Sequence, residues 1–193
     1  MNIDQTSSRK NITAGKASTV TEEQLKKALD TDLTGKVIEE PVFAVVAPVV
    51  FEEDGAYLLL EVRASGIPQA GDPCFPGGKI EEGETPEQAA SREMQEELGI
   101  SVPPEEFLGE LPAARTYLGN LTKIFVCSVS PELAGRTRIN PDEVSVMLKV
   151  PMPLFLAAPY AMEYRFEGHI IWGMTCGAIR NLCKVWKRAE QEQ

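Results

Sequence analysis

The stretch Phe75-Pro76-Gly77-Gly78-Lys79-Ile80-Glu81-Glu82-Gly83-Glu84-Thr85-Pro86-Glu87-Gln88-Ala89-Ala90-Ser91-Arg92-Glu93-Met94-Gln95-Glu96-Glu97-Leu98-Gly99-Ile100 decides how this chain is read. It opens on a glycine-rich turn and continues as a helix with start and stop signals. Thr85 suits the N-cap, Pro86 suits the first helical position because its missing N–H has no partner there anyway, and Gln88 stands where a capping box needs it. Gly99 supplies the C-terminal stop, since glycine enters the left-handed region without a Cβ penalty. At about 100° per residue, Glu93, Glu96 and Glu97 share one arc of the helix, and Ala90, Met94 and Leu98 form the adjoining stripe. The spacing predicts a helix that packs its apolar stripe into a core and presents a row of acids beside it.

Such a row is unfavourable by itself. Like charges three or four positions apart cost an isolated helix about 0.2–0.5 kcal/mol per pair. A divalent cation reverses the sign of that repulsion. Magnesium prefers oxygen ligands, keeps several waters and is commonly shared between carboxylates and substrate phosphates. A Glu-rich helix is more often simply a solvated surface. Here the acids belong to a longer pattern, in which Gly78, Glu84, Arg92, Glu93, apolar Met94, Glu96, Glu97, Gly99 and apolar Ile100 fill every fixed position of the Nudix box. The chain therefore resembles the Nudix hydrolases.

That resemblance implies an α/β fold, a Nudix-type α/β/α sandwich around a mixed β-sheet. It also implies hydrolysis of a diphosphate that links a nucleoside to another group. Glu93, Glu96 and Glu97, helped by the Gly77 carbonyl, would bind Mg²⁺ or Mn²⁺, with Glu84 and Arg92 in support. The base would be a glutamate of the box, such as Glu96, or an acid from a distant loop, for which Glu143 of Asn140-Pro141-Asp142-Glu143 is the candidate. A plain surface-turn acid is the competing reading of Glu143.

A second set of segments resembles the coenzyme A diphosphatases within the family. Leu59-Leu60-Glu61-Val62-Arg63 is similar to their L-L-T-x-R, with Glu61 where they have threonine, and Gly71-Asp72-Pro73-Cys74-Phe75-Pro76-Gly77-Gly78 is similar to their G-x-x-x-F-P-G-G. The intervening loop is one residue shorter, and Pro68 and Gln69 stand where an arginine is expected. Arg63, Arg115 and Lys123 remain as candidate phosphate binders, each with the competing reading of an ordinary surface cation. The expected substrate is a small nucleotide, with coenzyme A or an acyl-coenzyme A favoured. An ADP-ribose or dinucleotide diphosphatase and a non-catalytic nucleotide sensor are the rival readings.

The totals agree with a small-molecule enzyme. The 193 residues suffice for one domain with a substantial core, and 43% hydrophobic with 25% charged residues is an ordinary soluble composition. A formal net charge of −10 disfavours polyanionic partners, so neither nucleic acid nor an anionic membrane is expected. Cys74, Cys127, Cys176 and Cys183 lack the close pairing of a metal site and read as reduced thiols, which with the polar N-terminus suggests the cytoplasm. The single histidine, His169, reads as a strand or turn residue. A homodimer is compatible with the family, although no interface is legible.

Around the central helix, residues 1–18 are expected to be a disordered tail or an expression remnant, 19–40 a helical extension beginning near Thr21, and 41–190 the Nudix domain. Val42–Phe51 and Tyr57–Arg63 read as a hairpin across the Glu53-Asp54-Gly55 turn, and Pro48 suggests an edge position or a bulge in the first strand. Phe107–Leu111, Leu121–Val129, Val144–Val150 and His169–Trp172 read as further strands. Leu154–Ala158 reads as a helical turn, and Ile179, Leu182, Cys183 and Trp186 recur at helical spacing on a C-terminal helix.

Overall fold

The computed structural model describes residues 20–30 and 39–191; the expected N-terminal tail, residues 1–18, lies outside them. Three helices and a hairpin set the frame. Helix α1 (Glu22–Leu29) starts on a capping box between Thr21 and Gln24, helix α2 (Pro86–Leu98) on one between Thr85 and Gln88, and the C-terminal helix α5 spans Gly173–Gln191. Strand β1 (Phe43–Glu52) turns at Asp54 into β2 (Gly55–Arg63).

The hairpin forks, and the fork positions the site. β1 and β2 pair only from Val49↔Leu58 to Glu52↔Gly55. Beyond that the strands part, and the glycine-rich segment fills the gap between them. β3 (Pro73–Cys74) pairs with β2 at Glu61↔Cys74, while β4 (Gly77–Lys79) pairs with β1 at Val45↔Gly77 and Ala44↔Gly78. The far edge of β1 runs parallel to β6 (Leu121–Ser128), which pairs antiparallel with β5 (Phe107–Arg115); the far edge of β2 pairs with β7 (Val144–Pro151). The result is one mixed seven-stranded sheet. A separate two-stranded ribbon, β8 (Tyr164–Phe166) and β9 (His169–Ile171), lies outside it.

Pro48 sits in the interior of β1, at the centre of the sheet, which corrects the expected edge position or bulge. The fork explains the tolerance. Val46 donates its N–H to the Pro76 carbonyl, so the N–H of every second residue faces that side. Pro48 falls on the same side at the level between β4 and β2, where its missing N–H removes no ladder bond.

Strand alternation divides the core. Val45, Ala47 and Val49 of β1 face α1, α5 and the short helix α4 (Met152–Leu156), with Trp186 fully buried and stacked on Phe51. Ala44, Val46 and Val50 face the apolar stripe of α2, where Ala90, Met94 and Leu98 are all buried, and the short helix α3 (Pro131–Gly135). Helices thus cover both sheet faces, the expected α/β/α layering. Leu25 and Ala28 of α1 lie in the first core, and Glu22 accepts a hydrogen bond from Ser128. Among the described residues no helix is long and apolar enough to cross a membrane.

Candidate active site

Helix α2 distributes its acids by angle. Measured from Glu93, Glu97 lies about 40° toward the apolar stripe and Glu96 about 60° the other way. Glu97 is accordingly buried, at 4% exposure, Glu93 is half-buried, and the Glu96 side chain is 54% exposed. The sequence-level arc therefore separates into an inner pair and an outer acid.

Each acid is held from its own side. Gly77 donates its N–H to Glu97 Oε2 at 2.8 Å, so the fork segment meets the helix through a backbone donor. Arg92 donates from Nε and Nη2 to the two Glu84 oxygens at 2.7 and 3.1 Å, and from Nη1 to Glu93 Oε1 at 2.9 Å and Glu96 Oε2 at 3.0 Å. Its Nη2 also reaches the Lys79 carbonyl, tying the helix to β4. Glu84 is fixed further by the Glu81 N–H. Both glycines are required by close approach. A Cβ on Gly77, whose φ is 147°, would run into the backbone of Ala44 and Val45, and one on Gly78 would run into the Glu93 carboxylate.

Glu143 arrives from the opposite direction. The loop before β7 is fastened to the C-terminal end of α2, where backbone carbonyls lack partners within the helix. Asn140 donates its N–H to the Glu97 carbonyl at 2.8 Å and Arg138 to that of Leu98 at 2.9 Å. The Glu143 carbonyl accepts from the Ala64 N–H at 2.8 Å, which anchors the loop to the end of β2. Glu93, Glu97 and Glu143 consequently bring one carboxylate oxygen each to within 4.8 Å of one another, close enough for a single cation.

The trio has a neighbour, Glu61, that sequence reasoning passes over as a site residue. Glu61 shares a strand face with Leu59 and is 1% exposed. Its Oε1 accepts from the Cys74 thiol at 3.3 Å, and its carboxyl lies within hydrogen-bonding reach of Glu97. Its Oε2 has no donor among the described residues. The available signal was an acid set inside the apolar run Leu58-Leu59-Leu60-Glu61-Val62.

The electrostatics follow from burial. Loss of water pushes the Glu97 and Glu61 carboxyls up; the Glu61 charge raises Glu97 further, whereas a hydrogen bond from Glu97 pulls Glu61 part of the way back. Burial also raises Glu93, with Arg92 opposing it. The Arg92 guanidinium holds Glu84 below the usual carboxylate range. Burial raises the Cys74 thiol, with the Glu61 charge adding to the effect, which keeps it a proton donor.

The expected phosphate binders are all engaged within the chain. Arg63 donates from Nε to the Pro68 carbonyl and is the one cation of the three whose charge acts on Glu61 and Cys74. Arg115 is held by Glu39 and the Gly119 carbonyl, and Lys123 by Glu110. His169 lies in β9 as expected, and the four cysteines are free thiols.

The carboxylate set fits a hard divalent cation. Hard ions select oxygen ligands, and three carboxylate oxygens this close together oppose one another until a cation lies among them.

Comparison with known proteins agrees with this architecture. The NUDIX domain model matches residues 41–159. An uncharacterized Nudix hydrolase NudL of Escherichia coli O6:H1 is 30% identical over 154 residues, 72% of this chain and 79% of that protein, and NudL of Escherichia coli K12 matches equally well over the same length. Among solved structures, a MutT protein from Methanosarcina mazei Go1 superposes with a TM-score of 0.55 at 19% identity, covering 81% of this chain and all (100%) of that one. The NUDIX domain of Shewanella oneidensis NrtR, crystallised with ADP ribose, superposes with a TM-score of 0.53 at 18% identity, covering 86% and 98%. With the domain matched across the forked sheet and α2, and with this level of identity over most of its length, the chain belongs to the Nudix hydrolase family.

Proposed function

We propose that this enzyme hydrolyses the diphosphate linkage of a nucleoside diphosphate derivative with Mg²⁺ or Mn²⁺, and that coenzyme A or an acyl-coenzyme A is the favoured substrate. One observation carries the reaction class: the carboxylates of Glu93, Glu97 and Glu143 meet within 4.8 Å beside a backbone turn that no side chain fills. The segments around Arg63 and Phe75 support the substrate assignment by their similarity to coenzyme A diphosphatases. The NrtR domain's ADP ribose complex supports a nucleotide ligand in this fold more generally.

A divalent cation bound by Glu93, Glu97 and Glu143 would supply charge neutralisation for the pyrophosphate oxygens. The chain's own groups do the rest. The Gly77 N–H fixes the direction of Glu97, and Arg92 fixes Glu93 while Glu84 fixes Arg92. Such supporting hydrogen bonds hold ligands in place before substrate arrives. Glu96 stands at the rim, half exposed and restrained by one Arg92 N–H, and is assigned to accept the proton of the attacking water. Arg63, beside Cys74 and Glu61, is assigned to the substrate's phosphates. Arg115 and Lys123 are assigned a supporting electrostatic part that requires exchange of their present partners, Glu39 and Glu110.

The test is a panel of coenzyme A, ADP-ribose, NADH, dinucleoside polyphosphates and nucleoside triphosphates, run with Mg²⁺ in ¹⁸O water. Turnover of coenzyme A with the label in one phosphate product is expected. Preference for ADP-ribose or a dinucleotide would replace the substrate assignment. No turnover on any member by folded protein would overturn the reaction class.

A further inference from the structure

We propose that Glu61 is a fourth metal-ligating carboxylate, presenting its Oε2 to a divalent cation in common with Glu97. The inference rests on the metal-site reading above and extends it to a residue that stands outside the box. Three independent observations carry it. First, Glu61 is 1% exposed, so water does not satisfy it. Second, its Oε2 has no hydrogen-bond donor among the described residues, while Oε1 already accepts the Cys74 thiol. A buried carboxylate oxygen without a partner is costly enough that native proteins rarely keep one without a function or an ion. Third, the group beside it is another buried carboxylate, Glu97, whose Oε2 already takes the Gly77 N–H. Two ionised carboxylates cannot hydrogen-bond to each other, so only a cation or a shared proton reconciles their contact.

The surroundings favour the cation. Glu97 is common to two groupings, the trio with Glu93 and Glu143 and the pair with Glu61. One shared proton would leave the other acids of this cluster still opposed. Strand geometry makes the placement deliberate: Glu61 occupies the α2 face of β2, opposite Cys74 on one side and Met147 on the other, at the point where the fork brings β3 alongside. The strand that carries Glu61 ends at Arg63, whose charge partly offsets this acid without hydrogen-bonding to its Oε2. This position holds threonine in the coenzyme A diphosphatase segment, so the added ligand distinguishes this chain's site from that pattern.

The experiment is a Mn²⁺ titration of metal-free protein, read by the electron paramagnetic resonance of free Mn²⁺, on wild type, Glu61→Gln and Glu93→Gln. The amide is nearly isosteric and cannot match a carboxylate as a ligand. Glu61→Gln is expected to lose one bound Mn²⁺ or to weaken binding by at least about tenfold, in line with the effect of weaker perturbations around metal sites. Wild-type stoichiometry and affinity in Glu61→Gln would overturn the proposal and leave a shared proton as the explanation of the contact. If Glu93→Gln loses binding in that same experiment, only the role of Glu61 fails; if Glu93→Gln also binds as wild type, the metal-site reading itself fails. Should Glu61→Gln not fold, Glu61→Asp keeps the charge but withdraws the oxygens by one methylene. Weakened Mn²⁺ binding by that variant supports the proposal, and unchanged binding overturns it.

Discussion

Replacing either glycine of the Gly77-Gly78 pair with alanine adds the same methyl group one residue apart, and the two changes should fail in different ways. At Gly77 the new Cβ meets the Ala44 carbonyl and the Val45 Cα, atoms of a central strand that has no room to retreat. Its φ of 147° is also outside the range that alanine adopts comfortably. Overpacking costs about 1–3 kcal/mol and backbone strain a further 1–3, so Gly77→Ala should lose about 2–6 kcal/mol of stability. At Gly78 the nearest atoms the Cβ would meet belong to the Glu93 carboxylate, the end of a side chain that can swing aside. The fold should survive Gly78→Ala, but Glu93 would leave its place beside Glu97 and Glu143 and break its bond to Arg92. Displacing one of three ligands should weaken metal binding and turnover by about 10–100-fold, or about 1.4–2.7 kcal/mol of binding free energy. Chemical unfolding in EDTA, paired with Mn²⁺ titration and turnover, separates the two. Wild-type Mn²⁺ affinity in Gly78→Ala, or equal loss of stability in both variants, would refute the reasoning.

Four other outcomes follow from the same geometry. Glu97→Gln removes a carboxyl whose ionised form burial and the Glu61 charge oppose, so metal-free protein should unfold at higher denaturant than wild type above about pH 9, where the native carboxyl is charged, while turnover falls more than about 100-fold; a variant that keeps turnover would point to a binding module. Arg92→Lys cannot serve Glu84, Glu93 and Glu96 together, and turnover should fall about 10–100-fold with little change in unfolding midpoint, as paired kinetic and melting measurements would report. Glu61, Glu93 and Glu97 are raised by burial, so the folded metal-free protein binds more protons than the unfolded chain above the ordinary carboxylate value of 4.5. Their contribution is complete below that value and is lost as pH rises through the raised ones, whereas lowered acids such as Glu84 act at more acidic pH. Stability in EDTA should therefore fall from about pH 5 to about pH 9, and Mg²⁺ should flatten the slope; a rise with pH in EDTA would contradict the assignment. Trp186→Ala, at the fully buried ring that stacks on Phe51, should cost about 3–5 kcal/mol in urea unfolding.

Much of this was legible from local chemistry. The caps of α2, its apolar stripe and the Gly99 stop appear where the residues demand them, with Gly99 at a φ of 68°. The hairpin and β6 announce themselves by apolar runs, β7 by its alternation, and β5 by the short apolar segment Phe107–Leu111, beyond which it continues to Arg115. What escaped depends on partners distant in sequence. Pro48 reads as an edge signal because the strand fork that spares its N–H involves Pro76 and Leu58. Strands β3 and β4 are only two and three residues long, too short to carry a period. Glu96 and Glu97 look equivalent on a helical arc, and only the packed stripe decides which one turns inward. Glu143 was a candidate on spacing from the strand alone; its approach depends on Asn140 and Arg138 finding the carbonyls of α2. Arg115 and Lys123 read as phosphate binders by charge, and charge does not reveal that Glu39 and Glu110 stand beside them.

The wedge between β1 and β2 has an implication for how such a protein diversifies. Because Pro73–Cys74 and Gly77–Lys79 are each stitched to a different strand, the catalytic turn is clamped at both ends by the sheet. Of the connections on either side, the first, residues 65–71, is then free to change length without transmitting movement to the reacting centre, while the second, residues 80–85, carries Glu84, which braces Arg92. A one-residue deletion in the first of them, as seen relative to the coenzyme A diphosphatase pattern, reshapes what enters from outside and leaves the machinery that cuts it untouched.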